Sequence, residues 1–249
     1  MINRAYYQAT SERFLSDKTD QILGELTRAH GFALEDLQKN AWISQIKILK
    51  SALGDLPGSH IAFEYAIPRM GKRVDVVILY RGVVFVVEFK VNESSYDKGA
   101  YEQVLDYSVD LKNFHEGSHL RPIVPIIVAT EAPTAEMRIE KYPDDVYFPV
   151  NANQNDLVKK IRTAASETGL QNKLNAQDWL KANYKPTPTI IQAAQALYQG
   201  HSVEEISRSD AGAHNLSLTS QAINQIIDKT KSLGEKSICF ITGVPGSGK

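Results

Sequence analysis

Between Arg73 and Lys90 the chain reads RVDVVILYRGVVFVVEFK, two runs of β-branched and aromatic residues separated by Arg81-Gly82. The runs predict two strands and the dipeptide a tight hairpin turn. Val83 to Val87 is apolar at every position, the pattern of a strand covered on both faces rather than half-solvated. A two-residue loop pairs Tyr80 with Val83, and counting outward sets Asp75 across from Glu88 and Arg73 across from Lys90. Upstream, Met1 to Gly31 is polar and then helical, with Asp17 as N-cap, Ile22, Leu23 and Leu26 at apolar spacing, and Gly31 as the stop. Trp42, Ile46, Leu49 and Leu53 mark a helix over Ala33 to Leu53, ended by Gly54 and the Pro57-Gly58 turn. His60 to Ile67 predicts a first strand, with Ile61, Phe63, Tyr65 and Ile67 on one face and Glu64 on the other.

Past the hairpin, Ala100, Val104, Tyr107, Leu111 and Phe114 form the stripe of a helix over Tyr96 to His115, and Pro122 to Thr130 and Asp145 to Val150 read as further strands. From Asn151 the texture is helical: Asp156 to Glu167, Ala176 to Asn183 and, after Pro186-Thr187-Pro188, Thr189 to Tyr198. Ser202 to Asn215 is loop-like or weakly helical, Thr219 to Leu233 is a helix ending at Gly234, and Ser237 to Thr242 is a buried-type strand. The pattern is α/β: a mixed sheet flanked by helices over 1–152, a helical extension over 153–185, and a helical linker leading into one more strand over 186–249.

Composition narrows the function classes. An apolar content of 43% in 249 residues supports a full core. The formal net charge of −1 supplies no global basic field, so any grip on nucleic acid falls to local patches such as Arg69, Lys72 and Arg73. The single cysteine, Cys239, excludes disulfides within the chain and a cysteine-based zinc site. The N-terminus has no apolar leader core, and no run of about 18 apolar residues is present. A cytoplasmic protein without a membrane partner is expected, and a homo-oligomer is compatible with the sequence.

The chemistry gathers at the open end of the hairpin. Glu88 and Lys90 share a face, and a residue opposite Glu88 shares it too, bringing in Asp75. Opposed carboxylates with Cβ atoms about 4.5–5.5 Å apart repel, unless a cation lies between them or one stays protonated. A divalent metal is the simplest resolution, and hard oxygen ligands favour Mg²⁺, Mn²⁺ or Ca²⁺ over zinc. The bland alternative is an ordinary solvated hairpin end with a cross-strand ion pair. Glu64 joins Asp75 only if the Pro68 to Lys72 connection has even length, because one step of register flips the face. Gln103 and Tyr107, four apart, stack on one helix face, although the apolar stripe alone also accounts for Tyr107. His115-Glu-Gly-Ser-His119 matches the zinc-protease pattern H-E-x-x-H, but Gly and Ser occupy its middle and Pro122 follows at once, so the two imidazoles are not expected on one helix face.

The spacing D-(x)12-E-F-K on a hairpin, followed by Gln-Val-Leu-Asp-Tyr at 103–107, resembles the PD-(D/E)xK nuclease superfamily and, through its Gln-x-x-x-Tyr signature, the RecB-like branch. The helix-strand-strand-strand-helix-strand order of residues 33–130 is similar to that family's restriction-endonuclease-like core. The resemblance implies a Mg²⁺- or Mn²⁺-dependent hydrolase cutting phosphodiesters in nucleic acid, DNA ahead of RNA. It implies Asp75, Glu88 and the Phe89 backbone carbonyl as metal ligands, Lys90 positioning or deprotonating the attacking water, and Gln103 and Tyr107 orienting water or substrate. Glu64 is carried as an additional ligand. The alternative is a nuclease-like fold that binds nucleic acid or regulates a motor without cutting.

The last residues, Gly243-Val-Pro-Gly246-Ser-Gly248-Lys249, follow the expected strand and match Gly-x-x-x-x-Gly-Lys, the phosphate-wrapping P-loop in which the lysine reaches the terminal phosphates. The Ser or Thr that would hold Mg²⁺ and the following helix are not in the sequence. The tail resembles the entry to a Schlafen-like P-loop helicase fused behind a nuclease. On that reading the chain is a fragment of a longer protein, with ATP a ligand only of the full-length form, and kinship implies phage defence or DNA processing.

Overall fold

The computed structural model describes residues 4–31, 36–68, 70–168, 174–185 and 210–240. Six strands form one mixed sheet in sequence order: β1 (Tyr7–Thr10), β2 (His60–Ile67), β3 (Lys72–Tyr80), β4 (Val83–Lys90), β5 (Ile123–Ala129) and β6 (Val150–Ala152). The first four pair antiparallel, whereas β5 and β6 join in parallel. Helices α1 (Ser11–Ser16), α2 (Thr19–His30), α3 (Asp36–Leu53) and α5 (Leu157–Glu167) share one core with one face of the sheet. The other face packs with α4 (Lys98–Phe114) and α6 (Ala176–Lys181). Among the described residues a further helix, α7, spans Asp210–Leu233. Among the described residues, no helix is long and apolar enough to cross a membrane.

The hairpin is the centre of this sandwich. Arg81 and Gly82 have φ of 50° and 84°, the two left-handed residues of a turn whose twist matches the flanking strands. Val83 to Val87 are all fully buried and alternate between the two cores: Val83, Phe85 and Val87 on one side, Val84 and Val86 on the other. Burying each such side chain contributes roughly 1.5–3 kcal/mol, against about 0–1 kcal/mol for an exposed ion pair. The apolar middle therefore sets the register, and the charged end is carried by it.

Several expectations are corrected. Residues 7–10 form the edge strand β1, its Tyr7 paired with Phe63, where only polar chain was expected. Asp17 closes α1 as its C-cap and accepts the Tyr7 hydroxyl at 2.9 Å, while α2 starts behind Lys18 without a side-chain cap. Gly31 does end α2, at φ 72°. The strand expected over Asp145 to Val150 is met only at Val150: Asp145 has φ 62°, Val146 makes an isolated bridge to Ile123, and β6 starts only after Pro149, which has no N–H to donate to a ladder. Helix α7 starts at Asp210 rather than Thr219, so of the stretch read as loop-like or weakly helical the part from Asp210 is helical; its Gly212 costs about 1 kcal/mol relative to alanine, which a helix of 24 residues absorbs. The expected strand from Ser237 is absent over 237–240, where Ile238 and Phe240 are 83% and 85% exposed. A strand is held by a neighbour, and no described strand pairs with this segment. The expected helix Thr189 to Tyr198 lies outside the described residues.

The last correction concerns β2. Ile61 and Phe63 enter the first core but Tyr65 and Ile67 the second, and β3 does likewise, with Val76 in the first core and Val74 in the second. Alternation of faces thus slips by one step at Glu64 and Asp75. Glu64, at φ 50°, is where the backbone of β2 makes that change.

Candidate active site

The pairing of β3 with β4 runs from Tyr80↔Val83 to Val76↔Val87 and stops. Asp75 follows, opposite Glu88 by count, but no backbone pair forms there. Instead its Oδ2 accepts the Phe89 N–H at 2.8 Å, the side chain taking the place of a strand carbonyl. Arg73 does not reach Lys90 either: it pairs with Ala66, lays its guanidinium over Tyr6 at 4.0 Å and donates to the Glu64 carbonyl at 2.6 Å. It is therefore an internal brace rather than part of a basic patch; Lys72 is exposed, and Arg69 lies outside the described residues.

On its other edge β4 stays in the ladder to the end, with Glu88 beside Ile127 and Lys90 beside Ala129 in β5. Helix α4, capped by Asp97 and seated on the sheet through Ala100, Val104 and Leu111, turns Gln103 and Tyr107 toward these residues. Glu88 Oε1 accepts Gln103 Nε2 at 2.7 Å and Lys90 Nζ at 3.2 Å. Gln103 Oε1 accepts Lys90 Nζ at 3.2 Å, and its Nε2 also donates to the Tyr107 hydroxyl at 3.0 Å. Four of the residues singled out in the sequence, Glu88, Lys90, Gln103 and Tyr107, thus form one network, and Asp75 adjoins it through the Phe89 amide.

The network leaves one acceptor over. Glu88 is only 4% exposed, and its Oε2 is buried without a hydrogen-bond partner. Burial, followed by the nearby Glu88 charge, pushes the Asp75 carboxyl well above the ordinary aspartate range. Burial raises Glu88 as well, opposed by the Lys90 ammonium. Tyr107 is raised chiefly by burial. Two carboxylates held this way take up a proton or a cation. Among the described residues no three His, Cys, Asp or Glu side chains form a metal cage. The donor set suited to a hard divalent ion is accordingly Asp75, Glu88 and the Phe89 carbonyl; the orphaned Glu88 Oε2 and the shortage of positive charge fit such an ion.

Four residues, 68–71, join β2 to β3, the even length that carries Glu64 into register with Asp75, between the pairs Phe63↔Val76 and Tyr65↔Val74. Its carboxylate is held from α3: Oε1 accepts Trp42 Nε1 at 2.8 Å and Gln38 Nε2 at 3.4 Å. Trp42 reads from sequence as core packing alone, and Gln38 carries no signal. The available clue was that a buried indole N–H seeks an acceptor.

His115 is no zinc ligand. Residues Glu116–Ser118 form a 3₁₀ turn beyond the end of α4, His115 Nδ1 lies 2.9 Å from the Ser118 hydroxyl and Nε2 3.3 Å from that of Tyr65. Burial lowers its pKa to about 3. Gly243, Gly246, Gly248 and Lys249 lie outside the described residues. Comparison of the chain with protein-family models, with curated proteins and with solved structures gives no match.

Proposed function

We propose that this chain is a Mg²⁺- or Mn²⁺-dependent nuclease of restriction-endonuclease-like fold that hydrolyses phosphodiester bonds in nucleic acid, DNA ahead of RNA. The observation that carries the reading is the end of β4: Glu88 buried with one oxygen unsatisfied, Asp75 beside it, and Lys90 and Gln103 fixed on the other Glu88 oxygen. The order α3-β2-β3-β4-α4-β5 supports it, being the arrangement in which such a site is framed.

Asp75, Glu88 and the Phe89 carbonyl would hold the ion. When bound, a divalent cation lowers the pKa of water and offsets charge that builds on the phosphate. Lys90, with its side chain 27% exposed, presents an ammonium to the solvent side of the site, where it attracts the phosphate and orients the attacking water. Gln103 fixes Glu88 relative to Lys90, and Tyr107 supports Gln103 from beneath. The Gly243 to Lys249 run is proposed as a phosphate-binding loop, with ATP as its ligand.

Incubation with linear, circular and single-stranded DNA and with RNA, in Mg²⁺, Mn²⁺ or EDTA, tests the reading. Cutting that requires the metal and vanishes in Lys90→Ala and Glu88→Ala is expected. Cutting that survives EDTA, or absence of both cutting and Mn²⁺ binding, overturns it.

A further inference from the structure

We infer that residues 136–140 are a docking strand for a second copy of this chain, the two copies meeting antiparallel about a two-fold axis at Met137 or Ile139. The inference is independent of the cation reading above. The segment reads Glu-Met-Arg-Ile-Glu and alternates as a strand does: Met137 and Ile139 are half-buried against the first core, while Glu136, Arg138 and Glu140 are exposed. It belongs to no strand of the sheet. Its two ends are tied down. The Glu140 carbonyl accepts the Phe148 N–H at 2.9 Å, and the Lys160 ammonium reaches the Ala135 carbonyl at 2.9 Å together with that of Asn151. Between these ties a cavity of about 380 Å³ separates the segment from residues 148–151, the stretch that leads into β6.

Held off the sheet in this way, the main chain of residues 136–139 has no hydrogen-bond partner among the described residues. A row of free N–H and C=O groups is a template for another strand. The exposed face decides which strand. Antiparallel pairing sets directly opposed side chains about 4.5–5.5 Å apart on one face, where opposite charges attract and like charges repel. An axis through Arg138 opposes Arg138 to its own copy and Glu136 to Glu140, repulsive throughout. An axis through Met137 instead opposes Glu136 of each copy to Arg138 of the other, and an axis through Ile139 does the same with Glu140. Either gives two ion pairs, so the segment is its own complement. Among the described residues, none of these three side chains has an ion-pair partner in its own chain.

The competing explanation is that the charges merely keep a free edge from pairing. Edge protection of that kind works through charges that find no opposite across the pair, whereas here the signs alternate.

Sedimentation velocity over a concentration series, at low and high salt, tests the inference on wild type, Arg138→Glu and the double variant Glu136→Arg with Glu140→Arg. Thermal melting verifies the fold of each; the three positions are exposed, so Tm should be unchanged. The expected result is a reversible wild-type dimer that salt weakens, and a dissociation constant raised about tenfold or more in each variant, whose exposed face is then of one sign. Mixing the two variants in equal amounts should restore a dimer, since one face is wholly acidic and the other wholly basic. Wild type that stays monomeric up to its solubility limit overturns the inference and leaves the segment to a strand of another protein. A dimer unchanged in Arg138→Glu overturns it too, as do variants that fail to associate on mixing.

Discussion

An ammonium has only donors, so Lys90 decides which end of the Gln103 carboxamide it meets: the oxygen faces Lys90, and the NH₂ is left for Glu88 and Tyr107. Gln103→Leu, similar in size, removes all three bonds. It should lower cleavage about 10- to 100-fold while costing about 1–3 kcal/mol in urea unfolding, since the burial of Glu88 and Tyr107 persists without this partner. Asp75→Asn is the opposite case. The amide oxygen still accepts the Phe89 N–H, but the repulsion from Glu88 is gone. Its Tm should equal or exceed that of wild type even as Mn²⁺ binding is lost; a clear fall in Tm would contradict the electrostatic account. Strand alternation and the helical four-residue step made Glu88, Lys90, Gln103 and Tyr107 legible in the sequence, because local periodicity fixes which side chains share a face. Glu64 and Trp42, 22 positions apart and joined across layers, have no such local link, and a left-handed backbone in a strand leaves no trace in the residue letters.

Elements differ in how much of their stability is their own. The β3–β4 hairpin was readable because its turn dipeptide and its doubly apolar strand agree with each other. Phe85 is buried between Val83 and Val87 on the α3 side, and Phe85→Ala should cost about 3–5 kcal/mol in chemical denaturation, a loss that would unfold many domains outright. Helix α4 supplies Gln103 and Tyr107 to the site and depends on its cap: Asp97 accepts the Gly99 N–H, so Asp97→Ala should cost about 1 kcal/mol. Strand β1, of 4 residues, escaped the sequence reading, and β6, of 3, was met only at Val150, because edges this short owe their form to the strand they lie against. The segment after Gly234 failed in the other direction: its letters suit a strand, but nothing described pairs with it.

At the scale of the molecule, the ionisable groups buried away from the site set how stability follows pH. The unfolded chain binds a proton at His115 near pH 6.5, but burial delays this in the fold to about pH 3. Between those values the unfolded state holds more protons at this group, so the contribution of His115 to stability falls as pH drops below 6.5, while the raised Asp75 and Glu88 carboxyls act in the opposite sense. Lys112, buried with its ammonium on the Arg121 carbonyl at 2.7 Å, is pushed by burial from 10.5 down to about 8. Between pH 8 and 10.5 the unfolded state again binds more protons, so stability rises with pH across that window, by on the order of 3 kcal/mol. Melting curves from pH 7 to 10 should show the rise in wild type and a flattened one in Lys112→Met; identical slopes would contradict the assignment.

The meeting of the Asp75 carboxylate with the Phe89 amide has one more consequence. That N–H points away from β5, toward an oxygen whose charge depends on what the site holds, and so behaves as a built-in reporter. In an amide-resolved NMR spectrum its resonance should lie downfield, as expected for a proton shared with an anion. Diamagnetic Mg²⁺ should move it ahead of the other strand amides, giving a view of the site's occupancy that needs neither substrate nor turnover.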